Sequence, residues 1–350
     1  MSGKLNIALD AMGGDRAPDI VIKGADIARE RFPDVRFLLF GDREKLDPLL
    51  DAHEKLKRVS TVHHTEEFVS NGAKPSQALR SGKRTSMRLA IEAVREGRAQ
   101  GVVSAGNTGA LMAMSKIVLR TLPGIDRPAM VSYFPSIKGE TVMLDLGANI
   151  ECNSTNLVQF AVMGEVFART VLGLSAPSVG LLNVGAEELK GNDAVKAAHA
   201  ILREAALPMK FHGFIEGDDI AAGTVDVVVT DGFSGNISIK TLEGTARLYS
   251  AFLREAFRSS PLAGLGYLLA RRALAKLRIR LDPRRYNGAV FVGLNGISVK
   301  SHGGTDDLGF ATAVGVAVDM AVNGFNNRIR EELERLETHR IERPEAAATP

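Results

Sequence analysis

The chain has little of what usually announces a function. Among its 350 residues stands one cysteine, Cys152, there is no tryptophan, and aromatics make up only 5%. A lone cysteine excludes an intrachain disulfide and suits a reducing compartment, so a cytoplasmic setting is expected. His53, His63, His64, His199, His212, His302 and His339 show no zinc-ligand spacing with it, so no metal is expected. Scarce aromatics leave no stacking platform for single-stranded nucleic acid. A formal charge of +3 is too small to call for a nucleic-acid partner. The longest uncharged runs, Ala99–Ser115 and Thr170–Ala186, are broken by Gly, Asn, Ser or Pro, so no membrane span is expected. Met1–Asp10 carries a charge at Lys4 and runs straight into a strand pattern, unlike a signal peptide.

What is present is an ordinary globular composition, 45% hydrophobic and 24% charged. Short apolar runs alternate with amphipathic stretches almost from end to end. Strands are expected at Leu5–Leu9, Val35–Phe40, Gly101–Ser104, Thr141–Leu144, Val179–Leu182, Val225–Val229 and Ala289–Val292. Helices are expected at Pro18–Arg31, Ser76–Glu96, Asn156–Leu172 and Asp193–Ala205. Near-continuous apolar strands fit a sheet covered on both faces, and the alternation fits a mainly parallel, doubly wound α/β fold. Residues 1–337 form one α/β catalytic domain in this reading, and residues 338–350 a disordered tail. Within the domain, residues 245–287 are a protruding helical excursion for dimer or membrane contact. Its Ala251–Arg285 part holds nine Lys or Arg against Glu255 and Asp282, with an apolar tip at Pro261–Leu269.

Small polar clusters follow the strands: Asp10–Asp15, Ser104–Gly109, Asp145–Asn149, Asn183–Ala186, Thr230–Asn236 and Ser301–Asp306. Any one of them is an ordinary turn, since such turns favour Gly, Asn and Asp. Six in succession suggest one rim built for an anion, because glycine admits close backbone approach and free N–H groups at helix starts attract phosphate. No Gly-x-Gly-x-x-Gly fingerprint, Walker A sequence or nucleophile elbow is present, so no nucleotide cofactor is implied. Cys152 reads as a packed small side chain. Among basic residues, Lys83 and Arg84 read as surface charges, whereas Lys190, before Gly191-Asn192, and Lys240 stand near the rim.

These strings resemble the bacterial phosphate acyltransferase family, the acyl-acyl carrier protein:phosphate acyltransferases. The resemblance is carried by Ala8–Asp15, Ser104–Ala110, Gly124–Ala129, Gly180–Gly185, Thr230–Asn236, Lys240–Gly244 and His302-Gly303, in the expected order. It implies a three-layer α/β/α fold like phosphotransacetylase and isopropylmalate dehydrogenase, and a homodimer with its site near the subunit interface. It also implies transfer of an acyl group from acyl carrier protein to inorganic phosphate, for phospholipid synthesis. Peripheral contact with an anionic membrane is implied too, with a downstream glycerol-3-phosphate acyltransferase as a possible partner.

Within that reading, Lys190, Asp231 and His302 are the expected catalytic residues, with His302 protonating the leaving thiolate or orienting substrate. Substrate or phosphate binding is expected of Asp10, Gly13, Gly14, Asp15, Ser104, Gly106, Asn107, Thr108, Asn192, Ser234, Asn236 and Lys240. Asp10, Asp15 and Asp231 are expected to orient cations. Leu265, Leu268, Leu269, Arg271 and Arg272 are expected to meet membrane or carrier protein. The competing readings are a phosphotransacetylase-like enzyme using acyl-CoA, a dehydrogenase on the same fold, and a non-catalytic membrane scaffold.

Overall fold

A computed structural model describes residues 5–205 and 209–342. Their strands are β1 Leu5–Asp10, β2 Val35–Gly41, β3 Ser60–His64, β4 Gly101–Ser104, β5 Ala129–Pro135 and β6 Glu140–Leu144. They continue with β7 Ser178–Leu182, β8 Lys210–Ile215, β9 Val227–Val229, β10 Ala289–Val292 and β11 Ile297–Lys300. All join one sheet in the order β3-β2-β1-β4-β11-β10-β5-β6-β9-β7-β8. The expected strands are present; β3, β5, β8 and β11 are additional.

Side chains alternate between two apolar layers. Ile7 and Leu9 enter one cluster and Ala8 the opposite one; Val103 and Val102 divide likewise, as do Val142 and Leu144 against Met143. Helices Asp19–Arg31, Ser154–Val171, Asp193–Glu204 and Asp307–Val322 cover the first face. Ser86–Arg95, Thr108–Leu119 and the start of Gly232–Arg258 cover the second. The three-layer α/β/α expectation therefore holds. The stretch expected as one helix over Ser76–Glu96 is two, Pro75–Ser81 and Ser86–Arg95, because Thr85 caps the second by accepting from Arg88 N.

The strand directions correct the expectation of a single rim. β1, β2, β3, β4 and β11 are mutually parallel, but β10 is antiparallel to β11, β5 to β10, and β6 to β5. β6, β9, β7 and β8 are again parallel among themselves. The turns after β1, β4 and β11 thus leave one edge of the sheet, and those after β6, β7 and β9 leave the other.

The excursion is a pair of helices, Gly232–Arg258 and Pro261–Arg280, joined at Ser259-Ser260. Twenty-seven residues make the first about 40 Å long, well beyond the length of any strand in the sheet. Only Gly232 and Gly235 are buried along it, and none along the second. Pro261–Leu269 is therefore the first half of the returning helix, not a turn at the tip. Arg280 brings that helix home, its Nη2 donating to the carbonyls of Ser136 at 2.9 Å and Ile137 at 3.0 Å beyond the end of β5. The last helix, Phe325–Glu342, extends into the segment expected to be tail; residues 343–350 lie outside those described. Among the described residues no single helix is long and apolar enough to cross a membrane.

Helix Asp19–Arg31 lies against Asp307–Val322 at Gly24, where a β-carbon would stand 2.9 Å from the Asp307 carbonyl oxygen and 2.9 Å from Phe310 Cβ. Neither neighbour is the free end of a flexible chain. Gly24→Ala is expected to cost about 1–3 kcal/mol by overpacking, measured as a shift in the urea midpoint at unchanged m-value.

Candidate active site

Many polar residues of the strand-end turns serve the helices that follow. Asn107, Asn192, Asp231 and Asp306 each accept from a backbone N–H three residues on, at Ala110 (2.9 Å), Val195 (2.9 Å), Ser234 (2.8 Å) and Gly309 (3.0 Å). These caps satisfy donors that a helix start would leave unpaired. Thr108 is the exposed first residue of its helix.

The first set of turns is built on Asp10, the last residue of β1 and fully buried. Its carboxylate accepts from Ser86 Oγ and Ser104 Oγ, each at 2.6 Å, and Ser104 Oγ accepts in turn from Gly106 N at 3.1 Å. Burial pushes the Asp10 carboxyl above its ordinary range, with the two hydroxyls and the Met12 backbone opposing. A β-carbon on Gly13 would strike this carboxylate at 2.3 Å, so glycine is required there. Gly14 has φ +114° and lies against Ala105, and Asp15 N donates to the Gly303 carbonyl at 3.0 Å. Asp15 accepts from Asn71 Nδ2 at 2.5 Å, while Asn107 Nδ2 donates to Asn71 O at 2.7 Å.

His302 N donates to Asn287 Oδ1 at 2.9 Å, and its Nδ1 accepts from Gly304 N at 3.2 Å. That acceptance places the proton of a neutral ring on Nε2, at an exposed side chain. Asn287 Nδ2 also donates to Ser301 Oγ (2.8 Å) and to Gly309 O (2.7 Å), fixing the loop from below. Beneath it lies Lys300, only 8% exposed, its Nζ donating to the carbonyls of Ala105 and Ser301. Burial holds this ammonium at a pKa of about 8, with Asp10 and Asp15 pulling the other way.

The second set is built on Asp145, also fully buried. Its carboxylate accepts from the N–H groups of Met130 (2.8 Å), Ala148 (3.1 Å), Gly147 (3.3 Å) and Asn149 (2.6 Å), and from Asn149 Nδ2. Gly232 N donates to Asn149 O at 2.7 Å, and a β-carbon on Gly235 would stand 1.9 Å from the Asp145 carbonyl. Ser234 Oγ donates to Asp231 Oδ2 at 3.1 Å, and Asn236 Nδ2 donates to Leu146 O at 3.3 Å. Beside these, Asn183 Nδ2 donates to Gly185 O and Lys190 O, closing the loop that carries Lys190. Lys190 and Asn192 are exposed, and so is Lys240 farther along its helix.

The expected residues therefore fall into two groups. Asp10, Gly13, Gly14, Asp15, Ser104, Gly106, Asn107, Thr108 and His302 gather at one edge. Lys190, Asn192, Asp231, Ser234, Asn236 and Lys240 belong to the other. No hydrogen bond or ion pair joins the groups among the described residues. Asp10, Asp15 and Asp231 bond to hydroxyls, an amide and a helix start and form no ion pair among the described residues, while Asp10 and Asp15 act on the Lys300 ammonium through space. Leu265, Leu268, Leu269, Arg271 and Arg272 are exposed on the returning helix. Lys300, Ser86, Asn71 and Asn287 are the residues that sequence reasoning missed. Lys300 alone left a signal, a charge closing the apolar run Ile297-Ser298-Val299.

The fold is that of the phosphotransacylases. A phosphotransacetylase from Streptococcus pyogenes superposes with a TM-score of 0.62 at 17% identity, covering 92% of this chain and 95% of that one. A branched-chain phosphotransacylase from Enterococcus faecalis gives 0.56 at 14% identity, covering 91% and 99%. A family profile described as "Fatty acid synthesis protein" matches residues 5–328, and the chain belongs to that family. Proteins named phosphate acyltransferase from Paramagnetospirillum magneticum and Rhodospirillum centenum are 63% and 65% identical to it. The first aligns over 348 residues, 99% of each chain, the second over 337, 96% of this chain and 95% of the other.

Cys152 stands beside the second set, its Sγ 3.9 Å from Asn149 O. Burial pushes its thiol up to about 11, and Asp145 and Asp231 add to the shift. At pH 8 about one thiol in a thousand is then ionised. Iodoacetamide at that pH is expected to leave turnover intact over an hour, and Cys152→Ala to stay within twofold of wild type.

Proposed function

We propose that this protein transfers a fatty acyl group from the thioester of acyl carrier protein to inorganic phosphate, releasing acyl phosphate and free carrier. The observation that carries this reading is kinship over essentially the whole chain with proteins named phosphate acyltransferase. A phosphate oxygen attacks the thioester carbonyl, the carbon–sulfur bond breaks, and the departing thiolate takes up a proton. Phosphate is already ionised at neutral pH, so positioning and oxyanion stabilisation are what the protein supplies. Lys190 and Asn236 stand for the phosphate and oxyanion. The turns of the first set, with His302 exposed above them, receive the donor's sulfur end.

Sheet twist supports one active centre drawing on both sets. Five steps separate β4 from β9. At about 20–25° each, the steps turn the strand direction through about 100–125°. Strands that are antiparallel by count therefore end about 70° apart, and their loops face a common side. The protein acts as a homodimer in the cytoplasm, with the Gly232–Arg258 and Pro261–Arg280 helices as its apolar, basic contact with anionic membrane. The acyl phosphate is a fit acyl donor to a glycerol-3-phosphate acyltransferase working there.

The reaction is tested by incubating the protein with palmitoyl-acyl carrier protein and phosphate and trapping acyl phosphate with hydroxylamine. Hydroxamate should form only when phosphate is present. Equal turnover with palmitoyl-CoA would replace the carrier donor by the CoA thioester, and absence of product from either would discard acyl transfer. For the membrane reading, Leu265→Asp, Leu268→Asp and Leu269→Asp combined should abolish co-sedimentation with phosphatidylglycerol vesicles. Undiminished binding would remove the returning helix from that role.

A further inference from the structure

We propose that Lys300, set beneath the turns that follow β1, β4 and β11, is the acid that protonates the leaving thiolate. The inference rests on the acyl-transfer reading above and gives the proton transfer a residue other than His302. Lys300 closes β11 in register with Ser104 of β4, so its side chain enters where three strand-end turns meet. Its Nζ donates to Ala105 O at 3.4 Å and to Ser301 O. A β-carbon on Gly303 would stand 3.5 Å from that same Ala105 oxygen, and one on Gly14 at 3.6 Å. The ammonium thus lies under Gly14 and Gly303, with a third N–H that has no acceptor among the described residues.

Lys300 has no counter-ion in contact. Both its bonded partners are neutral carbonyls, and no carboxylate lies within ion-pair distance of it among the described residues. Removing an ammonium from water without a contacting partner is costly, and a packed apolar side chain would make this edge more stable. The position is explained by a group that arrives needing a proton. Asp10 and Asp15 face Lys300 from the β1 turn and act on it through space. The β4 turn and the Ser86 helix present only neutral groups to this cluster, Ser86, Ser104, Ala105 and Gly106. On its own loop His302 turns Nδ1 back onto Gly304 N. A thiolate departing beside two carboxylates is repelled, so cleavage benefits from proton delivery as the bond breaks.

The step balances. A phosphate oxygen bonds to the acyl carbon, the carbon–sulfur bond opens, and the sulfur takes a proton from Lys300 Nζ. The neutral amine then recovers a proton from water. Burial sets the ammonium near pKa 8, close to that of an alkyl thiol, where an acid is most effective. Because the value is depressed, the acid form dominates below pH 8 and is lost above it.

The test compares wild type with Lys300→Met on palmitoyl-acyl carrier protein and on palmitoyl 4-nitrothiophenyl thioester, whose thiolate leaves without a proton. Loss of the general acid is expected to lower kcat on the carrier donor about 100-fold or more. On the aryl thioester kcat should stay within about threefold, since there is no proton transfer to lose. Wild-type kcat on the carrier donor should also fall about tenfold per pH unit above pH 8, a limb that Lys300→Met lacks. The variant's thermal midpoint should not drop, because a buried charge has been removed. Equal losses on both donors, or an unchanged alkaline limb, would overturn the assignment. Failure of wild type on every thioester would instead overturn the acyl-transfer reading.

Discussion

Strand polarity reverses three times in mid-sheet, and most of the architecture follows from the net reversal. β10 runs against β11 and β5 against β10, so β5 regains the direction of β4; β6 then runs against β5 and sets the direction of β9, β7 and β8. A wholly parallel sheet would carry all its strand-end turns on one edge. Here those turns divide between two edges. Antiparallel β5 and β6 need just a short turn, Ser136–Gly139, and that turn is where the returning helix of the excursion anchors through Arg280.

Each edge is organised around a carboxylate that never reaches solvent. Asp10 and Asp145 both lie at the end of a strand and draw surrounding donors inward. Asp10 uses two serine hydroxyls from separate elements, and Asp145 uses a row of backbone N–H groups. A buried carboxylate left without donors would be strongly destabilising, whereas one surrounded by them fixes the geometry of every loop that supplies a donor. Glycines 13 and 235 are consequences of this arrangement, since any β-carbon there would collide with Asp10 or with the Asp145 carbonyl.

The layered fold was legible because strands such as Leu5–Leu9 and Val179–Leu182 are apolar on both faces, leaving a signal in the residues themselves. β3, Ser60–His64, was not legible: it is an edge strand, and Ser-Thr-Val-His-His carries no apolar run. Nor was the split of the turns, because strand direction depends on pairing between residues far apart in sequence, as Val290 with Val131. The clusters of Asn and Asp were correctly placed at strand ends, yet Asn107, Asn192 and Asp231 owe their positions at least partly to helix capping. Lys300 was overlooked since the same letter in a strand usually marks a solvent-facing edge position. Ser86 and Asn71 lie in a helix and a loop with no motif, and only tertiary folding brings them to Asp10 and Asp15.

The charge of the excursion takes on a sharper meaning once its partners are known. Arg284 is engaged twice, by Asp282 at 2.6 Å and by Asp306 at 2.9 Å, and Arg280 is held by backbone carbonyls. Arg284 therefore ties the end of the excursion to the loop carrying His302, and Arg280 ties it to the turn after β5. Arg258, Arg271, Arg272, Lys276 and Arg278 have no ion-pair partner among the described residues and lie exposed among leucines. Unpaired cations on an exposed helix stabilise nothing internally, but they attract acidic surfaces over about 8–10 Å at physiological salt. Arg280 anchors at the sheet edge shared by the ends of β1, β4, β5 and β11, so an acidic partner drawn to the hairpin arrives on the Lys300 side of the molecule.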